Sequence, residues 1–253
     1  TAAQDIASAA VIGCGTMGGG IAMCFLNVGI PVTSLEMNQE ALDRGISVIK
    51  RNYDIQVQRG RMTAEQVDQR MGLLTGTTDF ADLGQADVIV EAIYENIDVK
   101  VEAFQKMDAV AKPGAILASN TSGLDVDKMA AATKRPDSVI GLHFFSPANV
   151  MRLLEIVRGA DTSKETIASS MKLGRTLNKI AVLSGNAPGF IGNRMLAGYT
   201  RQAGEIILQG ATPYQVDNAL LQFGMPMGPF QMNDLVGLDL GWRARKLGGM
   251  KPE

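Results

Sequence analysis

The chain holds a single histidine, His143, and so a single side chain whose ordinary titration falls near neutral pH. It stands in Gly141-Leu142-His143-Phe144-Phe145-Ser146-Pro147, at the end of an apolar run that reads as a strand. Twelve residues on, Glu155 and Arg152 are the only charges in the run Met151 to Val157. An acid in such a run needs a partner. If the two runs are neighbouring strands, Glu155 can accept the imidazole N–H, fix its tautomer and stabilise the imidazolium, which is the arrangement of a general base. The other reading is a core histidine bonded to backbone, with Glu155 turned to water. A strand end opposite a ligand-binding loop favours the first. One histidine also excludes a multi-histidine metal site. Cys14 and Cys24 have no metal spacing, so no metal is expected.

The ligand-binding loop is Gly13-Cys14-Gly15-Thr16-Met17-Gly18, a GxGxxG. The pattern alone is weak, but here it follows a strand and opens a helix. Gly13 permits the tight turn, Gly15 lets backbone approach a pyrophosphate, and Gly18 lets helix pack on strand. The helix N-terminus, with Thr16 and Met17 in its first turn, offers N–H groups to the anion. Glu36, 18 residues after Gly18 and closing the second strand, supplies the acid that binds an adenosine ribose and repels a 2′-phosphate. The expected cofactor is NAD rather than NADP. A thiol nucleophile at Cys14 is conceivable, but a small buried side chain is the better reading.

These residues need a scaffold, and the order of elements provides one. Runs at Ala9 to Ile12, Val32 to Leu35, Leu73 to Thr77, Asp87 to Ile93, Ala115 to Ala118, Val139 to Phe145, Leu153 to Val157 and Ile180 to Leu183 read as strands. Helices are expected over Thr16 to Val28, Asn38 to Arg59, after Thr63, Val99 to Val110 and Lys164 to Leu177. Strand–helix alternation implies right-handed βαβ units and a Rossmann-like, doubly wound, mostly parallel sheet. After Ala187-Pro188-Gly189 only helical stretches remain, at Phe190 to Gln209, from Pro213 and from Gly228-Pro229. The expected division is 1–186, an α/β cofactor domain, and 187–253, a smaller all-helical C-terminal domain.

The composition is that of an ordinary soluble globular protein. With 253 residues, 46% hydrophobic and 20% charged, the chain can bury a substantial core. Its net charge of −2 argues against a nucleic-acid partner. Residues 6–35 carry no charge, but the glycines and Pro31 break that run as no membrane helix would be broken. No membrane partner is expected, and a cytoplasmic location is, with a peroxisomal one left open.

Four motifs carry a resemblance that spans nearly the whole chain: VIGCGTMGGGIA from Val11, SNTSGL from Ser119, GLHFFSPANVMRLLEIV from Gly141 and APGFIGNRML from Ala187. MGPFQMNDLVGLD from Met227 adds to them. The sequence resembles the L-3-hydroxyacyl-CoA dehydrogenases of fatty-acid β-oxidation. The HFFSP form and GLDLGWRARK look most like the dehydrogenase part of multifunctional β-oxidation proteins. The resemblance implies catalytic roles for His143, Glu155, Ser122 and Asn193. It implies cofactor contacts from Glu95, Lys100, Asn120 and Ser122, with Glu95 and Lys100 lining the nicotinamide and its ribose.

The implied substrate is acyl-CoA, whose phosphates would meet the basic arm that includes Lys50, Arg51 and Arg59. A solvated helix face is an equal reading for any one of these. The expected partners are a homodimer mate or further domains of a longer chain. Single-function members continue through a basic, glycine-rich segment that this sequence lacks, so an incomplete helical domain is expected. Two rival functions remain. One is a related hydroxyacid dehydrogenase acting on a non-CoA substrate. The other is a non-catalytic NAD-binding structural protein.

Overall fold

The computed structural model describes residues 2–238, so the Asp239 to Lys246 part of GLDLGWRARK lies outside the described residues. Two compact units part between Ile191 and Gly192. The first is built on one eight-stranded sheet. Its strands are β1 (Ala9–Ile12), β2 (Val32–Leu35), β3 (Leu74–Thr77), β4 (Val88–Glu91), β5 (Ile116–Ser119), β6 (Val139–Phe144), β7 (Leu153–Arg158) and β8 (Ile180–Gly185). They lie in the order β3-β2-β1-β4-β5-β6-β7-β8. All pair in parallel except β6 and β7, which are antiparallel. Helices α1 (Thr16–Leu26), α2 (Gln39–Gln58), α3 (Ala64–Met71), α4 (Ile97–Val110), α5 (Val126–Ala130) and α6 (Lys164–Thr176) flank the sheet. This is the doubly wound Rossmann-like architecture, and its order reverses between β1 and β4, the crevice where such sheets bind ligands.

The central strands β1, β4 and β5 are buried along their whole length, which is why they read as apolar runs without alternation. The uncharged residues 6–35 are accounted for by β1, α1 and β2. Nine of the eleven residues of α1 are buried, so a helix apolar on every side belongs in this core. Among the described residues no helix is long and apolar enough to cross a membrane.

Capping sets the helix starts. Asn38, Thr63 and Ser163 each accept a backbone N–H of the first turn of α2, α3 and α6. The fourth helix starts at Ile97 rather than Val99, because Asn96 accepts from Asp98 and Val99 N–H and closes the turn earlier. Strand β4 stops at Glu91 rather than Ile93, because β1 ends at Ile12, whose carbonyl takes the Ala92 N–H as the last bond of the ladder. The short α5 and two 3-10 turns, Phe80–Leu83 and Pro136–Ser138, carry too little periodicity to be read from sequence.

The second unit holds α7 (Gly192–Leu208), α8 (Pro213–Phe223) and α9 (Pro229–Val236), and no strand among the described residues. Thr212 and Gln215 form a capping box on α8, and Asp217 of α8 accepts the Phe230 and Gln231 N–H groups that open α9.

Candidate active site

The glycine loop leaves β1 and enters α1 at the β1/β4 switch point. Gly13 takes φ +93°, in the left-handed region, and a Cβ there would lie 2.8 Å from the Ala92 carbonyl oxygen. A Cβ on Gly18 would fall 1.7 Å from the Gly13 oxygen, so helix and turn meet only through glycine. The missing Cβ of Gly15 faces open space. Three identical residues thus meet three different demands: a turn, a close packing and an unobstructed approach for a ligand.

A cleft of about 510 Å³ opens on that approach, lined among others by Gly15, Thr16, Glu36, Arg44, Asn52 and Asn149. The N-terminus of α1 has no side-chain cap and no acid in its first turn, unlike α2, α3 and α6. Its N–H groups are left for an anion arriving in the cleft. Glu36 stands at the end of β2, where its Oε1 accepts the Cys14 N–H at 2.7 Å and Oε2 that of Met37 at 3.0 Å. The open Gly15, the uncapped helix and the carboxylate past β2 together fit a dinucleotide. Cys14 is buried, and burial followed by the charge of Glu36 pushes its thiol up to about 11. That makes it packing rather than nucleophile.

His143 is the penultimate residue of β6 and lies directly across the antiparallel ladder from Glu155. Its Nδ1 is 2.6 Å from Glu155 Oε2, and the two residues are 5% and 1% exposed. The other carboxylate oxygen accepts the Ile191 N–H at 3.0 Å. A carboxylate can only accept, so Nδ1 carries the proton and Nε2 is the ring's basic nitrogen. Phe145 and Phe190 pack against the imidazole at centroid distances of 4.3 and 5.7 Å. Both rings are tilted to the imidazole, which is therefore held by two aromatic contacts and by the Glu155 bond.

The SNTSGL turn is tied to the same edge of the sheet. Asn120 donates its backbone N–H to the Glu91 carbonyl and accepts the Phe144 N–H on its side chain, both at 2.9 Å. Its side-chain oxygen therefore joins the ends of β5 and β6, a bracing role that the expected cofactor contact did not include. Ser122 is exposed; its N–H and hydroxyl reach Glu95 Oε1 at 2.9 and 3.1 Å, and the Thr121 hydroxyl joins them at 2.6 Å. Burial works to raise the Glu95 carboxyl, but the Thr121 hydroxyl and the Lys100 charge outweigh it and hold the group below the usual carboxylate range.

Lys100 departs from expectation. It is 1% exposed, and its ammonium is turned inward onto Glu91, so it does not line the cleft directly. Glu91, fully buried at the end of an apolar strand, is a residue of this cluster that the motifs do not point to. The signal was present, since VIVEA places an acid in an apolar run just as Glu155 is placed.

The three expected CoA-binding residues do not form one surface. Lys50 pairs with Asp54 at 3.0 Å on an exposed face of α2. Arg59, the C-cap of that helix, lies nine residues further, about half a turn out of phase with Lys50. Arg51 is exposed on a third line. Arg44, about two turns before Arg51 on α2, is the basic residue that lines the cleft. Asn193 is the second residue of α7, in the second unit.

Residues 8–187 match the family described as 3-hydroxyacyl-CoA dehydrogenase, NAD binding domain, and residues 189–252 match its C-terminal domain. The chain is 45% identical over 247 residues to the peroxisomal bifunctional enzyme of Danio rerio, covering 98% of this chain and 34% of that protein. It therefore spans about a third of the length of the curated relatives it matches. Among solved structures, FadB2 of M. tuberculosis superposes with a TM-score of 0.90 at 38% identity, covering 93% of this chain and 84% of that one. The (S)-3-hydroxybutyryl-CoA dehydrogenase of Ralstonia eutropha also gives 0.90, at 34% identity and the same coverage.

Proposed function

The chain belongs to the 3-hydroxyacyl-CoA dehydrogenase family, and from that premise we propose that it oxidises L-(S)-3-hydroxyacyl-CoA to 3-oxoacyl-CoA in fatty-acid β-oxidation. The observation that carries the proposal is the buried His143–Glu155 pair at 2.6 Å, which leaves Nε2 as the basic nitrogen of a rigidly held imidazole. Bound NAD supplies the hydride acceptor for C3 of the substrate. His143 Nε2 takes the proton of the 3-hydroxyl, and Glu155 stabilises the imidazolium that results. Ser122 hydrogen-bonds the 3-oxygen and keeps it in line. Gly13, Gly15, Thr16, Met17, Gly18 and Glu36 bind the pyrophosphate and adenosine ribose, with Glu95 toward the nicotinamide ribose.

The CoA phosphates meet the exposed basic residues of α2, Lys50, Arg51 and Arg59, each from its own side of the helix, while Arg44 belongs to the cofactor cleft. A second copy, or further domains of a longer multifunctional chain, are the proposed partners. The compartment is cytoplasmic or peroxisomal, the latter favoured by the relatives' names.

The deciding assay follows NADH oxidation with acetoacetyl-CoA beside a panel of free oxo acids. Turnover of the thioester alone is the expected result. Preference for a free acid would replace this substrate class, and NADH binding without turnover of any substrate would leave a structural NAD-binding protein.

A further inference from the structure

The loop of residues 145–152 joins the strand that carries His143 to the strand that carries Glu155. Pro147 and Asn149 bring it into the wall of the cleft, which Gly19 and Gly20 of α1 also line. At Gly20 the approach is close: a Cβ there would lie 3.1 Å from the Ala148 side chain and 3.3 Å from the Ala148 nitrogen. Within the loop, the Val150 and Met151 N–H groups both bond the Pro147 carbonyl. At its far end the Arg152 carbonyl accepts the Ile180 N–H of β8.

Between these points the loop is tied down by a side chain from another part of the sheet edge. Lys179 stands in the turn between α6 and β8, where Asn178 takes φ +57° and the Lys179 N–H bonds the Gly174 carbonyl. Its ammonium donates to the Ala148 carbonyl at 2.6 Å and to the Met151 carbonyl at 2.7 Å, and lies 5.9 Å from the centre of the Phe144 ring. Among the described residues it forms no ion pair, so its charge is directed to these carbonyls. The two acceptors differ. Met151 lies at the surface, where water can replace the ammonium. Ala148 is 1% exposed, and the other group near its carbonyl is the Cys24 thiol at 3.3 Å. That thiol has one weakly donated proton and a second acceptor, the Gly20 carbonyl, also at 3.3 Å. Without Lys179 the Ala148 carbonyl would be a buried acceptor with a poor donor, a state that the loop relieves by swinging out to water.

We propose that Lys179 is a positioning residue of the cofactor site: by holding the Ala148 and Met151 carbonyls it keeps Pro147 and Asn149 in the cleft wall against α1. The proposal rests on the reading of the cleft as the NAD site and deepens it. Lys179 touches neither cofactor nor substrate in this scheme and acts only through the loop.

Lys179→Met keeps the stem over Phe144 and removes the donors, whereas Lys179→Arg returns them. NADH affinity is followed by fluorescence titration, and hydrogen exchange is followed on the peptide of residues 145–152. In Lys179→Met the Val150 and Met151 amides are expected to exchange faster, with the β1–α1 peptide unchanged. A loop in place about a tenth of the time weakens NADH binding about tenfold, and that is the loss expected. Lys179→Arg is expected to recover most of both. A lysine serving stability alone would lower the melting temperature and leave the affinity of the folded protein unmoved.

Parental NADH affinity in Lys179→Met, whatever its melting temperature, overturns the proposal, and so does a loss of affinity with loop exchange unchanged. If that variant fails to fold, Lys179→Gln decides, since its amide is too short to reach both carbonyls; parental affinity there overturns the proposal equally. If the parent chain binds no NADH, the reading of the cleft falls and takes the proposal with it. If the parent binds and the variants match it, the proposal alone falls.

Discussion

Two buried pairs of a basic group and a carboxylate sit at the same edge of the sheet, and they do opposite things with their nitrogens. His143 spends Nδ1 on Glu155 and keeps a second ring nitrogen for chemistry. Lys100 has one nitrogen and directs it to Glu91, Ile93 and Glu95. An imidazole can be anchored and reactive at once because its two nitrogens are distinct. A lysine has no second nitrogen to offer once its ammonium is held by two carboxylates. The difference lies in side-chain chemistry, since burial is similar for both, at 5% and 1% exposure.

The sharpest way to break this contrast is His143→Gln. Turnover of acetoacetyl-CoA is expected to fall by about 10²–10⁴, with NADH affinity nearly unchanged, because the base is lost and the glycine loop is not. Near-parental turnover would remove His143 from the chemistry. Next in size is Glu155→Gln, which can donate to the imidazole and so permits the wrong tautomer. A fall in kcat of about 10² is expected with KM little altered, on the scale of a misdirected general base. If kcat holds while only the melting temperature drops, Glu155 serves packing and the two pairs are alike.

A smaller effect separates the two glutamates of the Lys100 cluster by pH. Glu95 has a depressed folded value, so its contribution to stability is present above the ordinary glutamate value of 4.5 and is lost as pH falls through the lower folded one. Burial, opposed by Lys100, raises Glu91, so its charge opposes folding increasingly as pH rises. Glu95→Gln should therefore flatten the melting-temperature curve on the acid side of 4.5. An unchanged acid limb would mean that its bonds to Thr121 and Ser122 do not persist in solution.

The smallest expected change comes from the exposed arm. Lys50→Gln is expected to shift KM for acyl-CoA by less than about twofold at physiological salt, since Asp54 already neutralises Lys50 in water. Arg44→Gln, at the cleft read as the NAD site, should raise KM for NADH and leave KM for acyl-CoA alone. A rise in KM for acyl-CoA instead would move the CoA site from the outer face of α2 to the cleft.

Much of the site was open to reading in one dimension. GxGxxG followed by Glu36 is a local pattern, because the turn, the helix start and the next strand are consecutive in the chain. His143 stood out by number, and Glu155 by being an acid among apolar neighbours. The same rule applied to VIVEA would have found Glu91, but an acid ending a strand also reads as the first residue of a solvated loop. Lys100 illustrates the opposite difficulty. On a helix that opens with Asn96 and Asp98 it looks like an ordinary surface lysine, and nothing local tells that its stem runs inward.

The amino-acid sequence therefore determined, by itself, the alternation of strands and helices, the glycine loop and the identity of the single possible neutral-pH base. Those depend on residues within a turn or a strand of one another. Tertiary structure alone decided that β7 runs antiparallel to β6 in the register that sets Glu155 opposite His143. It also decided that Lys100 meets Glu91 nine residues back, and that Glu95 bonds Ser122 across 27 residues. Register is a property of two strands together, and which charges pair is settled when separate elements dock and exclude water.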